Sequence, residues 1–304
     1  LQISVKTHKP EAGIKGPHVF LDLLRHHTPP GVQWVEGSAD ILLLVFGAEH
    51  QARKRFKYRA ICTRCDGLYY LGDKKSGPNL NRQAADRYRC ADGIIFQSHF
   101  CQQQYHIFVG ARPVPQRIIP NGTEMTHRAG RRPCGVVSCA GWRMSKRPHL
   151  VADLARRLKH SAPDVKITVI GPYKGKVYDN MVVLGTVKRR RLDGIYRQNN
   201  VFFHPAYQDP CPNTVVEAVA HGLYVVGSDT GGIPDIVGQN GRLIHEEPCF
   251  HQLEKPPRLN MDVVESTVLE ALEKNESQSF RRDLMIQNVA AAYTNFWQSL
   301  LRGK

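Results

Sequence analysis

At 304 residues, with 41% hydrophobic side chains, the chain is long enough for two cores and too apolar to stay disordered. Its 42 Lys and Arg against 27 Asp and Glu leave a formal charge of +15, which points to an anionic partner: a nucleotide, a nucleic acid, a phosphorylated lipid or an anionic membrane surface. The longest apolar run, ILLLVF, is far too short to span a bilayer, and eight unevenly spaced cysteines do not make the framework of a small secreted disulfide protein.

Strand, glycine-containing turn and helix alternate from the start. LQISV reads as a short strand, AGIKGP as a turn, and HVFLDLLRHH as the helix it opens. ADILLLVF is a continuous apolar run of the kind buried on both faces of a parallel sheet. YRAICT predicts a strand, NLNRQAADRYRCA a helix, and GIIFQS and QRIIP two more strands before the Asn-Gly turn of PNGTE. Apolar periodicity then stops between Met125 and Gly135, which places a domain boundary there.

The pattern restarts with strand GVVSCAG, helix KRPHLVADLARRLKH, strands VKITVIG and MVVLG, and helix RLDGIYRQ. Strand VFFHP, a loop, helix TVVEAVAH and strand YVVGSD follow. Such alternation predicts a parallel sheet covered by helices on both faces. Finding it twice predicts an α/β protein of two Rossmann-like, doubly wound domains facing each other: residues 1–130 and 131–285. The last stretch has helical spacing and carries Tyr293, Phe296 and Trp297; it is expected to cap a core or bridge the domains, and residues 286–304 are assigned to the first.

Positive charge concentrates in RKRFKYR (Arg53 to Arg59) and KRRR (Lys188 to Arg191), with Arg128, Arg131 and Arg132 between them. Each run by itself reads as a solvated face. Cys62 and Cys65 form a CxxC pair with no second pair at zinc-finger spacing, so reduced thiols in a cytoplasm are expected and no metal site is. The opening LQISVKTHKPEAG has neither the pattern of a signal peptide nor an initiator Met, and the expectation is a soluble, cytoplasmic protein from a trimmed sequence. No G-x-G-x-x-G follows the first strand and no G-x-x-x-x-G-K-[ST] occurs, which argues against a dinucleotide enzyme or a P-loop NTPase.

The segment YQDPCPNTVVEAVAHG places Asp209 and Glu217 on either side of a loop-to-helix junction. One reading is structural: Thr214 to Glu217 spells T-x-x-E, a capping box, and an acid in the first turn suits the helix dipole. The other is a ligand site. A helix N-terminus offers amides to a phosphate, a carboxylate beside it accepts two hydrogen bonds from a ribose diol, and a second carboxylate orients further hydroxyls. Phosphate, diol and polyhydroxyl together describe a nucleotide sugar.

The longer segment HPAYQDPCPNTVVEAVAHGLYVVGSDTGGIPDIVG resembles the donor-binding signature of family 4 glycosyltransferases, retaining enzymes of the two-domain GT-B fold. That resemblance implies two Rossmann-like domains across a cleft, with Glu217 on the ribose hydroxyls and Asp209 on the donor hexose. CAGWRMSKRPHLV is similar to the family segment that neutralises the donor diphosphate, which implies this role for Lys146. The glycine-rich loop AGIKGP, with Gly13 and Gly16, resembles the first loop over the phosphates, although both glycines also read as plain turn residues. CTRCDGLYY, ADGIIFQS and RIIPNGTE resemble successive landmarks of the first domain. They put Arg64 and Asp66 at the cleft near acceptor or donor sugar, with an ordinary Asp-Gly turn as the alternative. The likeness is strongest over residues 134–238 and is nearest in impression to glycosyltransferases of large algal viruses.

Three departures from the family pattern stand out. Asp209 replaces the usual Glu and is one methylene shorter. Pro210 and Pro212 stand where glycines are usual, so amides over a phosphate must come from Cys211, Asn213 and Thr214. Gly141 occupies the usual arginine position, leaving Arg143 or Arg147 as substitutes. The resemblance implies a retaining transfer of a mannose- or glucose-type hexose from GDP-mannose or a UDP-hexose to a hydroxyl of a glycan, glycoprotein or lipid. It implies no cofactor and no metal, with Lys146, Arg143 and the helix N-terminus stabilising the leaving phosphate. The basic runs add an anionic or membrane-associated acceptor; a homodimer is compatible with the sequence, and no nucleic acid is expected. The competing readings are a basic nucleic-acid-binding protein, a nucleotide-sugar 2-epimerase of the same fold, and a sugar-nucleotide binder without activity.

Overall fold

In a computed structural model of the chain, the described residues are 2–7, 16–45, 57–70, 77–125, 130, 132–250, 256–275 and 278–303. They fall into two compact units: Leu1–Thr123 with Phe250–Gln252 and Asp283–Lys304, and Glu124–Cys249 with Leu253–Arg282.

The first unit holds β1 (Ile3–Thr7), α1 (Gly16–His27), β2 (Val32–Trp34), β3 (Ala39–Leu44), β4 (Tyr58–Cys65), α2 (Gly77–Cys90), β5 (Gly93–Phe96), α3 (His99–Phe108) and β6 (Gln116–Ile118). Its six strands are parallel in the order β2-β1-β3-β4-β5-β6. Ile41 to Leu44 are all buried, as a central parallel strand between helical layers requires. The final helix, α9 (Ile286–Arg302), packs on α1 and β4. It inserts Tyr293 5.7 Å from Phe20 and Trp297 edge-on to Trp34 at 6.0 Å. Gly93 opens β5 because a Cβ there would lie 2.5 Å from Leu300 of α9.

The second unit contains β7 (Gly135–Cys139), α4 (Pro148–Ser161), β8 (Lys166–Ile170), β9 (Met181–Gly185), α5 (Leu192–Arg197) and β10 (Val201–His204). It continues with α6 (Asn213–His221), β11 (Tyr224–Ser228), α7 (Ile233–Val237), β12 (Gly241–Ile244) and α8 (Met261–Lys274). All six strands are parallel, in the order β12-β11-β10-β7-β8-β9. From β7 the chain first builds outward through β8 and β9, then returns to the other side of β7 and builds through β10, β11 and β12. Order reverses between β7 and β10, and a doubly wound sheet binds ligands outside the carboxyl ends of its strands at such a reversal. Leu150, Val151, Leu154, Ala155 and Leu158 give α4 its buried stripe against this sheet.

Candidate active site

The loops leaving β7 and β10 run to α4 and α6 on opposite faces of the sheet, and they carry the candidate residues. After β7 a single 3-10 turn, Met144–Lys146, is followed by Arg147 in the left-handed region at φ 47°. For a non-glycine residue this backbone costs roughly 1–2 kcal/mol. The Arg147 side chain explains how it is held. Its guanidinium, 1% exposed, gives both Nη atoms to the Glu246 carboxylate at 2.7 Å, Nη1 also to Pro257 O at 3.0 Å, and Nε to Pro205 O. Pro148 then starts α4 at its first turn, where a missing N–H costs nothing. The neighbouring Lys146 is thereby fixed at the switch point.

The loop after β10 is tied to this turn by Tyr207 N donating to Ser145 O at 3.0 Å. Gln208 adopts φ 49°, and its N–H donates to Thr230 Oγ1 at 3.0 Å. Gly232 N donates to Asp209 O at 2.8 Å, and Gly231 sits at φ 74° directly against Asp209. A Cβ on Gly231 would lie 2.4 Å from Asp209 O, so the Gly-Gly pair is a close-packed backing for the Asp209 backbone. The Asp209 carboxylate, nearly buried, forms an ion pair with Lys146 Nζ through Oδ2. His204 Nε2 lies 3.5 Å from that same oxygen. Burial first, then the Lys146 and Arg147 charges, push the His204 pKa well below the ordinary value, so the ring is neutral.

The helix α6 begins one residue before Thr214, with Pro212 as its N-cap and no side chain bonded there. The Pro212 carbonyl accepts from Val215 N at 3.0 Å and Val216 N at 3.1 Å, leaving Asn213 and Thr214 to supply the first helical amides. The capping-box reading therefore fails: Thr214 is inside the helix, and Glu217 stands two residues beyond the third helical position from which a side chain reaches back to the cap. Glu217 is instead 8% exposed, with Oε1 3.8 Å from Arg189 Nη2. Burial pushes its pKa up to about 7, with Arg189 opposing the shift. A carboxylate held this way contributes nothing to the helix end and is costly to bury. Cys211, also buried, lies in the loop between Asp209 and α6.

The remaining candidates separate from this group. Arg143 is exposed and donates from Nε to Ser145 Oγ at 2.9 Å, on the same turn as Lys146. Gly13 lies outside the described residues, and Gly16 opens α1 in the first unit. Arg64 ends β4 of that unit fully buried, with Nη2 donating to Asn121 Oδ1 at 2.7 Å, Nη1 3.2 Å from Asp66 and its guanidinium 4.2 Å over the Phe20 ring. Among the described residues no group of three or more His, Cys, Asp and Glu is placed to hold a metal ion.

Sequence reasoning missed Arg189, His204 and Glu246. The KRRR run looked like a solvated face, yet its Arg189 turns inward to Glu217 while Arg190 and Arg191 stay exposed. His204 ends β10, and a strand end at a switch point is the signal that marks it; Glu246 follows the edge strand β12 and is marked only by its contact with Arg147.

Residues 135–252 match the family model described as Glycosyl transferases group 1, a segment that runs from β7 past β12 and contains Lys146, Asp209 and Glu217. Among curated proteins the chain is 28% identical over 163 residues to sulfoquinovosyl transferase SQD2 of Arabidopsis thaliana, covering 48% of this chain and 32% of that protein. The chain spans about a third of the length of the curated relatives it matches. Among solved structures, sucrose-phosphate synthase from Thermosynechococcus elongatus aligns at TM-score 0.67 and 14% identity, over 95% of this chain and 78% of that one. The pneumococcal O-GlcNAc transferase GtfA, in complex with UDP and GlcNAc, aligns at TM-score 0.64 and 13% identity, over 93% of this chain and 60% of that one. The fold is GT-B, and the fold and matched segment together support a glycosyltransferase.

Proposed function

We propose that the protein is a retaining glycosyltransferase that moves a hexose from a UDP- or GDP-sugar to a hydroxyl of a glycan, glycoprotein or lipid. The observation that carries this is the grouping of Lys146, Asp209, Glu217 and the α6 N-terminus at the β7/β10 switch point. In this reading the Glu217 carboxylate accepts from the ribose diol, and the amides of Asn213 and Thr214 meet the diphosphate with the positive end of the helix. Lys146 neutralises the departing phosphate, and the exposed Arg143 is near enough along the turn to join it. Asp209 orients the sugar hydroxyls. The UDP and GlcNAc in the GtfA complex support a donor of this class.

Breaking the glycosidic C–O bond puts negative charge on the leaving diphosphate and positive charge on the sugar ring. Donors aimed at that developing anion are worth about 3 kcal/mol of barrier each. We read the chemistry as front-face: the acceptor hydroxyl approaches beside the leaving phosphate and gives its proton to it. The new C–O bond forms on the face that the old one leaves, so configuration is retained. Arg189, occupied with Glu217, weakens the nucleic-acid reading of the basic run.

Incubation with UDP-glucose or GDP-mannose and a panel of glycan and lipid acceptors, followed by NMR of the product's anomeric proton, tests this. An α-linked product from the α-configured donor is expected. A β-linked product would remove the retaining mechanism, and an epimerised nucleotide sugar formed without acceptor would replace the transferase by an epimerase.

A further inference from the structure

Two groups converge on one oxygen of Asp209. Lys146 Nζ forms the ion pair with Oδ2, and His204 Nε2 stands 3.5 Å from the same atom. The imidazole is 2% exposed and stacked on Phe202, with centroids 6.1 Å apart and planes at 20°. Its Nε2 makes no hydrogen bond among the described residues. Leaving a buried polar atom in that condition costs roughly 1–3 kcal/mol, and each such atom in a folded core calls for an explanation.

The chemistry of the three groups supplies one. A carboxylate only accepts, so Nε2 beside Asp209 must be the protonated nitrogen of the neutral ring. Lys146 has a long flexible stem and one charge to place. A diphosphate, with its larger negative charge, competes with Asp209 for that one charge. The Asp209 backbone cannot follow it, being held by Gly232 N and packed against Gly231. When Lys146 turns away, a carboxylate that is 8% exposed would be left without its partner, an expensive state in a dry site.

We propose that His204 is a positioning residue whose Nε2–H takes over the Asp209 carboxylate when Lys146 turns to the donor diphosphate. This rests on the nucleotide-sugar reading above. Closing 3.5 Å to a normal hydrogen bond requires a shift of a few tenths of an ångström, and such contacts commonly tighten only once a ligand is bound. Because the imidazole is neutral, it steadies Asp209 without cancelling the negative charge that faces the sugar hydroxyls. The arrangement also offsets the missing methylene: a shorter acid needs a fixed donor behind it to hold its reach.

Two variants separate this role from simple packing. His204→Gln keeps an N–H donor near the position of Nε2, whereas His204→Phe keeps a ring of similar size and removes the donor. Each would be titrated calorimetrically with UDP and GDP and with UDP-glucose and GDP-mannose, alongside thermal melting and turnover. His204→Phe is expected to lose about tenfold in affinity for the bare diphosphates and for the nucleotide sugar alike, because either one draws Lys146 from Asp209. His204→Gln is expected to restore most of that loss and most of kcat. Equal loss in both variants would make His204 a packing residue and overturn the proposal. Wild-type affinity in both would overturn it as well. Absence of binding to any of the four compounds by folded wild-type protein would instead remove the nucleotide-sugar reading, and this inference with it.

Discussion

The two sheets are both six-stranded and parallel but differ in strand order, and their carboxyl ends hold buried charge in different ways. In the first unit Arg64 is enclosed: Nη2 donates to Asn121 Oδ1 at 2.7 Å, Nη1 is paired with Asp66 at 3.2 Å and Phe20 covers the guanidinium, although Nε and Nη1 make no hydrogen bond among the described residues. In the second unit the corresponding region keeps charge in reserve. Lys146 is 13% exposed and holds Asp209, Glu217 has only a distant Arg189, and His204 has an unused nitrogen. Buried charge that is satisfied by fixed partners stabilises a fold. Buried charge that is only partly satisfied is suited to a ligand that completes it.

The sharpest form of this contrast lies in two adjacent residues. Arg147 is bound by Glu246, Pro205 and Pro257 inside the fold, whereas Lys146, 13% exposed, is paired with Asp209. Arg147→Met should lower unfolding stability by about 3–5 kcal/mol, because it strands the buried Glu246. Denaturant unfolding reads this directly; a change under 1 kcal/mol would show that the bidentate pair is incidental. Lys146→Ala should lower unfolding stability by less than Arg147→Met, because Asp209 keeps His204 Nε2 3.5 Å away, and should lower kcat by roughly 10²–10³. If instead Lys146→Ala melts the protein and Arg147→Met abolishes transfer, the assignments must be exchanged.

The fold was largely legible because both sheets are built of buried parallel strands with long apolar runs, such as ADILLLVF and GVVSCAG. The expectation of two doubly wound sheets follows from that alternation, and both sheets are present. The misses have local causes. β2 and β12, of three and four residues, are too short to show a period, and α7 is a single turn opened by Ile-Pro. α8 was readable: Asn260 caps it, accepting from Asp262 N and Val263 N, and Val264, Val268 and Ala271 mark its buried face. α3 likewise has its cap in Ser98.

The site was legible only in part, for a physical reason. Asp209, Glu217 and Lys146 stand in local motifs whose residue types state their chemistry. His204, Arg189 and Glu246 gain their meaning from tertiary contacts with Asp209, Glu217 and Arg147, which join segments distant in sequence. The apparent capping box shows the limit of local motifs. Placing Pro212 at the N-cap moves Thr214 inside the helix, and the carboxylate of Glu217 then faces Arg189.

Glu217 gives the subtlest difference between the two regions, since its effect depends on pH. Its pKa rises from 4.5 to about 7 in the folded protein, so the folded state holds this proton more tightly than the unfolded chain. Its contribution to stability therefore falls as pH climbs from about 4.5 through 7, and Glu217→Gln should flatten that slope. Donor binding should run the other way, because the ionised carboxylate is the better acceptor for a ribose diol.

The most direct measurement is calorimetric titration of UDP-glucose and GDP-mannose into wild type and Glu217→Gln at pH 6 and pH 8, without added metal. The account predicts that one donor binds wild type, with affinity rising by up to roughly tenfold between the two pH values as Glu217 ionises. It predicts weaker, pH-independent binding by Glu217→Gln. No heat from either donor with folded wild-type protein, or binding by the variant as tight as wild type at both pH values, would contradict a nucleotide-sugar site at the β7/β10 switch point.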